Sequence, residues 1–436
     1  NNNNELNTSS ITELNTKSSN NNYASKSPIG LSRFLLPDTS NIPIFKTKNY
    51  DEVLSDVVDT SIHLANELSP SQISLLPNWL SQNIGQDLGS SELTKKFNKL
   101  QLQERERLSN TLHGHKNNPV STKDHPIISA GVELGRKNRY KDIFLYEHSR
   151  VKLENDLTPS NENFNYSTYI NASYINYTRS NLNYIATQGP LDETIGDFWK
   201  IVYDNNVPII FSLTPQSENN IEKCAPFWNP GVFQSNNVRI ETELIDRVDD
   251  LKLCGITSAK CIARVFTIKV DNSDIVKKVL QVHMMSWPDF GIVICEEDIL
   301  SLVSLKRYIY DKLNITDAPT LVHCSAGCGR TGSFCAIDTC IDVLLKDEVE
   351  HVIEKNDLIF EITSNFRSQR VFMVQTLRQY ILIYDSIIKY LQMHHNADVN
   401  HKEVRDKNGD LLTNKGLINW EVRDPGILGK FIESYI

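Results

Sequence analysis

Apolar positions recur at helical spacing in some stretches of this chain and as short strand-like runs in others. The segment ELTKKFNKLQLQERERLSNTL (92–112) reads as a charged amphipathic helix. Strand signals follow at Tyr169–Tyr177 and Tyr184–Thr187. In DETIGDFWKIVYDN, residues Ile195, Phe198, Trp199 and Val202 fall at helical spacing. VPIIFSL (207–213) has the length and apolar continuity of a buried strand, and several β-type runs occupy 237–286. EEDILSLVSLKRYIYDKL then places Ile299, Leu302, Val303 and Ile309 on one helical face. APTLVH (318–323) reads as a strand, and RTGSFCAIDTCIDVLL as a helix aligning Phe334, Ile337, Ile341 and Leu344. A last long helix carries Val374, Leu377, Ile381, Tyr384, Ile388 and Leu391. No internal repeat is visible.

The two ends differ from this pattern. Residues 1–22 are mostly Asn, Ser and Thr with no aromatic residue, too little apolar surface to offset ordering entropy, so 1–30 is expected to be disordered. Residues 31–76 are expected to be a linker or regulatory segment, 77–395 the main folded domain, and 396–436 a tail. The tail is polar at first and then carries Leu417, Trp420, Ile427 and Phe431. Sequence does not decide whether it packs on the domain or docks elsewhere.

Composition narrows the class. Of 436 residues, 40% are hydrophobic and 23% charged, as in ordinary globular proteins. No apolar run approaches the length of a membrane span. The eight cysteines are scattered and flank no secretory signal, which suggests a reducing compartment, cytoplasm or nucleus. The net charge of −9 argues against a global attraction for nucleic acid or an anionic membrane. An anionic substrate would have to be held by local groups.

Such groups stand in His323-Cys324-Ser325-Ala326-Gly327-Cys328-Gly329-Arg330-Thr331-Gly332, between a strand and a helix. Small residues let successive N–H groups turn around an anion, and the helix N-terminus adds its dipole. Arg330 offers a planar fork for two phosphate oxygens. A Cys324 thiolate at the mouth of this concavity is a nucleophile poised under a phosphoryl group. Two plainer readings compete. A cysteine at a strand end is usually a small buried residue. Gly327, Gly329 and Gly332 also fit G-x-G-x-x-G, with Glu348 and Glu350 about 20 residues on. Residues 350–367 look helical and charged, unlike the second parallel strand that a dinucleotide site requires. A metal reading of His323, Cys324 and Cys328 lacks a second ligand pair at suitable spacing.

Partners for the thiolate are also legible. Asp289, in SWPDFG, suits a mobile lid carrying a general acid, although Pro-Asp is common turn chemistry. Gln375 and Gln379, four apart on one helix face, could hold a water without competing as a base; on a helix, glutamines are otherwise solvated surface. Thr331 could hydrogen-bond the departing thiolate, or simply cap the helix. Cys328 is a small loop residue or a trap for oxidised Cys324.

The chain resembles the phosphotyrosine-specific protein tyrosine phosphatases over Pro77–Met393. KNRYKDI, YINASYI, YIATQGPL, EKCAPFW, WPDFG, VHCSAGCGRTG and RSQRVFMVQTLRQY occur in the order expected of that family. The resemblance implies an α/β (α+β) fold, a single twisted mixed sheet flanked by helices. It implies Cys324 as nucleophile within the His323–Thr331 signature, Arg330 as phosphate binder, Asp289 as acid and then base, and Gln375 as the water-positioning residue. Ser325, Ala326, Gly327, Cys328 and Gly329 would line the phosphate. Tyr140 would wall a deep pocket, and Asp142 would bind the substrate backbone. Lys223 would contact Asp289, Glu218 would brace Arg330, and Gln188 and Gln379 would help close the pocket. No cofactor or metal is implied. Partners would be phosphotyrosine proteins met by a monomer, with no nucleic acid and no membrane. Cys328, TGSFCAIDT and MVQTLRQY look most like fungal phosphatases that inactivate stress-pathway MAP kinases. KKFNKLQL (95–102) has the form of a kinase-docking peptide, against the plainer reading of a helix capping the domain. A phosphotyrosine-binding module without activity would lose Cys324, Asp289 or Arg330. A dual-specificity phosphatase would lack the Tyr140 loop.

Overall fold

The computed structural model describes residues 68–84, 89–113, 121–128, 135–153, 168–253, 260–287, 295–346, 356–400, 404–406, 409–413 and 415–435. The Asn-rich segment, most of the expected linker and Asp289 lie outside the described residues.

Nine strands form one mixed sheet. In chain order they are β1 (Arg150–Lys152), β2 (Tyr169–Asn176), β3 (Asn183–Thr187), β4 (Ile209–Ser212), then, after a two-stranded hairpin of β5 (Ser217–Glu218) and β6 (Ile221–Glu222), β7 (Gly231–Ser235), β8 (Val238–Val248), β9 (Cys261–Val270), β10 (Lys277–Met284) and β11 (Thr320–His323). Their spatial order is β1-β2-β3-β11-β4-β10-β9-β8-β7. The four central strands, β3, β11, β4 and β10, run parallel, and the flanks are antiparallel. Parallel strands need both faces covered, so their sequences are continuously apolar rather than alternating. Along β4 and β11, Ile209, Phe211 and Val322 join one core cluster while Ile210 and Leu321 join the other.

The helices of eight residues or more supply the two covers. They are α1 (Gly89–His113), α2 (Ile195–Asp204), α3 (Glu296–Leu313), α4 (Gly329–Lys346), α5 (Leu358–Arg367), α6 (Leu377–Asn400) and α7 (Ile427–Ser434). Helix α2 covers one face through Phe198, Trp199 and Val202; the Phe198 ring meets Phe227 at a tilt and Trp199 meets it edge-on. Helices α3, α4, α5 and α6 cover the other face. Acidic residues Glu296, Glu297 and Asp298 sit in the first turn of α3, where they complement its dipole, and Asn314 ends it in the left-handed region.

Helix α1 and the described part of the C-terminal tail both pack on this core. In α1, Phe97 and Leu100 are buried, and Lys96 pairs with Asp357 at 2.6 Å. Residues 95–102 therefore lie in a helix that caps the domain, the plainer of the two readings. The tail lies along α3: Trp420 is buried and its Nε1–H donates to Ser304 Oγ (2.8 Å) and Ser301 O (3.1 Å). Leu428 and Phe431 of α7 enter the same core.

Candidate active site

The carboxyl ends of β3, β11 and β4 lie side by side, and in open sheets of this kind ligands bind beyond such ends. From β11 the chain turns through Cys324–Cys328 into α4. Gly327 has φ +73°, and a Cβ there would stand 2.3 Å from the Thr187 carbonyl oxygen, so only glycine fits.

The carbonyls of this turn are all engaged on its outside. His323 Nδ1 meets Cys324 O at 3.0 Å, and Gly189 N–H donates to Ser325 O at 2.9 Å. Arg370 donates through Nη2 to Ala326 O (3.0 Å) and through Nε to Gly327 O (2.8 Å). The Cys328 carbonyl accepts from Gly332 N–H (2.9 Å) and Val374 N–H (3.0 Å). Because each peptide is planar, holding its carbonyl outward aims its N–H inward. Gly327 N–H reaches Cys324 Sγ at 3.2 Å. The ring is thus an anion cradle made of backbone, with the sulfur on its floor.

Arg330 is fully buried; its Nη1 donates to Trp287 O at 2.9 Å and to Glu218 Oε1 at 3.1 Å. Glu218 braces the guanidinium, as the resemblance implies. The Thr331 hydroxyl is buried with no hydrogen-bond partner among the described residues. Tyr140 rises beside the cradle: Ser325 Oγ–H donates to Lys223 O (3.0 Å), so the Tyr140 hydroxyl must be the donor to Ser325 Oγ at 2.7 Å. Gln188 does not line a pocket mouth with a free amide. Its Oε1 accepts from Arg139 N–H and its Nε2 donates to Lys137 O, each at 2.8 Å, which fixes the loop carrying Tyr140. Arg139 itself clamps Gly189 O, Pro190 O and Glu222. Asp142 is exposed two residues beyond Tyr140. Lys223 borders the cradle through its carbonyl, while its expected partner Asp289 lies outside the described residues.

The glutamines need a correction. Helix α6 begins at Leu377, so Gln375 and Gln379 do not share a helix face. Thr376 is the N-cap: its Oγ1 accepts from Gln379 N–H (3.2 Å), and Gln379 Oε1 accepts from Thr376 N–H (3.1 Å) and Gln375 N–H (2.9 Å). This is a capping box, legible in Thr-Leu-Arg-Gln. The Gln379 amide also packs on Gly329, where a Cβ would come within 2.7 Å of its Nε2. Gln375 stands just before the cap, at the end of a strained loop in which Phe372 (φ 57°) and Val374 (φ 63°) are left-handed. That loop is held from outside: Arg367 donates to Met373 O (2.9 Å) and Val374 O (2.6 Å), and Glu104 of α1 accepts from Phe372 N–H (2.8 Å).

Cys328 and Cys324 are both free thiols. Cys328 is the more enclosed of the two, as fits the reading of a small loop residue. It is buried in an apolar cluster with Leu108, Ile143, Phe144, Val371 and Phe372, and burial pushes its thiol up to about 12.

A family profile described as Protein-tyrosine phosphatase matches residues 135–389. Tyrosine-protein phosphatase 3 of Saccharomyces cerevisiae is 29% identical over 409 residues, covering 72% of this chain and 44% of the relative. The human receptor-type tyrosine-protein phosphatase alpha is 36% identical over 260 residues, 59% of this chain and 30% of the relative. This chain therefore spans less than half the length of each curated relative. The crystal structure of the catalytic domain of human protein tyrosine phosphatase non-receptor type 18 superposes with a TM-score of 0.54 at 27% identity, covering 69% of this chain and 96% of that one.

Proposed function

Because this chain belongs to the protein-tyrosine phosphatase family, we propose that it hydrolyses phosphotyrosine in proteins through a cysteinyl-phosphate intermediate. The observation that carries the reading is the inward-turned ring over Cys324 Sγ with Arg330 at its side. In the first step the sulfur attacks phosphorus in line. The bond from phosphorus to the tyrosine oxygen breaks, and Asp289 delivers a proton to that oxygen. Ring N–H groups and the Arg330 fork stabilise the phosphoryl oxygens as charge shifts onto them. In the second step a water held by Gln375 attacks phosphorus, the S–P bond breaks, Asp289 takes the water's proton, and phosphate leaves. The Tyr140 wall favours phosphotyrosine, since a shorter phosphoserine would not reach the floor.

The finer reading makes the substrate a stress-pathway MAP kinase phosphorylated on its activation-loop tyrosine, met by a monomer in the cytoplasm or nucleus. Its support is the resemblance of the cradle, TGSFCAIDT and MVQTLRQY segments to fungal phosphatases of that kind. A binding module without turnover is the alternative, and the presence of Cys324, Arg330 and Asp289 together disfavours it.

Phosphotyrosine and phosphoserine peptides assayed side by side test the activity; turnover of phosphoserine alone, or of neither, overturns it. Asp289→Ala removes the proton donor and keeps the phosphate cradle, so it should hold phosphorylated substrate. Capture from stressed cells, eluted with vanadate, should yield a MAP kinase. Other phosphotyrosine proteins without any MAP kinase would defeat the finer reading alone.

A further inference from the structure

Four neighbouring strands place polar side chains on the face of the sheet that α2 covers. Arg264 of β9 stands opposite Gln281 of β10, while His283 of β10, Ser212 of β4 and His323 of β11 share the next row. All five are buried. Elementary donor and acceptor rules fix how they are joined. A guanidinium can only donate, so Arg264 Nη1 binds the Gln281 oxygen (3.0 Å), which turns the Gln281 nitrogen to Ser212 Oγ (2.9 Å). A carbonyl can only accept, so the His323 proton sits on Nδ1, directed at Cys324 O (3.0 Å). Burial pushes His323 down to about 3, so the ring is neutral and its Nε2 accepts from Ser212 Oγ–H at 2.6 Å. Every bond then points the same way, from the guanidinium through Gln281, Ser212 and His323 to the carbonyl of Cys324. On a side branch, Arg264 also donates to His283 Nδ1 (3.1 Å), whose Nε2–H donates to Thr214 O (2.7 Å). Arg264 is lowered to about 10, chiefly by burial, and remains a cation at neutral pH.

We propose that this one-directional chain carries the influence of the Arg264 charge to the base of the cradle and stabilises the Cys324 thiolate, so that Ser212, Gln281 and Arg264 are positioning residues for the nucleophile. The proposal rests on the reading of Cys324 as nucleophile. Aligned bonds polarise one another, and the low local dielectric preserves the effect over four links. The polarised imidazole withdraws electron density from the Cys324 carbonyl and lowers the negative potential beside the sulfur. Among the described residues, the other titratable groups that act on Cys324 are Arg330, braced by Glu218, and the thiols of Cys224, Cys328 and Cys335; the proposed acid Asp289 lies outside them. Burial pushes all three thiols up, so they add no charge between pH 5 and 8. His283, Arg330 and Arg139 all act electrostatically on His323, each lowering it further.

The test follows iodoacetamide labelling of Cys324 against pH by mass spectrometry of its peptide, in the full chain. It reads the thiolate without turnover, and it reports only on folded protein if labelling is normalised to the native fraction. Ser212→Ala cuts the chain and should move the labelling midpoint upward by about half a pH unit or more, with the acid limb of kcat/KM moving alongside. Arg264→Met, three links away, should move it the same way by less. The double variant should match Ser212→Ala alone, because a cut chain no longer carries the remote charge. Ser212→Thr keeps the hydroxyl and should restore the midpoint. Unmoved midpoints, or shifts that add in the double variant, overturn the relay. Full turnover by Cys324→Ser would instead overturn the nucleophile assignment.

Discussion

At the scale of single residues, the candidate site is a ring of backbone groups aimed by side chains outside it. Arg330 is the side chain that the proposed mechanism brings to the phosphate. Its Nη1 is committed to Glu218 and Trp287 O, which sets the plane of the fork over the cradle. Arg330→Lys keeps the charge and loses that plane, so kcat on a phosphotyrosine peptide should fall by about 100-fold or more. Near-normal turnover would remove Arg330 from the mechanism. Cys324 and Arg330 were legible because they stand in a short motif whose spacing carries its chemistry, whereas Glu218 and Tyr140 were named only through the resemblance to the family's motifs. Arg370 was not, although it lies inside one of those motifs. Its work is to hold the carbonyls of Ala326 and Gly327, the latter 43 positions away, and a contact between a side chain and distant backbone leaves no local pattern. Ser212 and Gln281 were hidden for a related reason. In a buried strand each reads as an interruption of an apolar run, and only strand register shows that the interruptions line up.

At the scale of elements, helix spans followed from apolar spacing, as in α3 and α4, whereas the start of α6 did not. The apolar stripe runs on through Val374, but two left-handed residues and a capping box stop the helix at Leu377. Periodicity sees which side chains are buried and is blind to backbone held in the left-handed region by tertiary bonds. The element that holds it is α1. Glu104 and Arg367 are both buried and pair at 3.2 Å, and between them they bind three backbone groups of the loop before Gln375. Glu104→Leu strands the Arg367 charge and should cost about 3–5 kcal/mol in urea unfolding. A loss below about 1 kcal/mol, the scale of an exposed pair, would show that the pair is not what fixes the loop. Because α1 lies outside the profile match at 135–389, a fragment trimmed to that match loses this support.

At the scale of the whole molecule, the tail question left open by sequence is answered by burial: Trp420 and Phe431 complete the core along α3, and Lys278 Nζ donates to the Ser434 carbonyl. Trp420→Ala opens a cavity there and should cost about 3–5 kcal/mol, seen as a fall of several degrees in Tm. An unchanged Tm would mean that the tail rests on the domain without stabilising it. The sheet order has a different consequence, for synthesis on the ribosome. Strand β11 is the last of the sheet in sequence and sits at its centre, between β3 and β4. Until residues 320–323 have emerged, β3 and β4 each expose an open edge, and neither half of the sheet can close on the other. Such late, long-range pairing is slow and leaves the nascent chain prone to aggregate. Cys324 directly follows that closing strand, so a ribosome that stops short of it releases a chain with neither a finished sheet nor the proposed nucleophile.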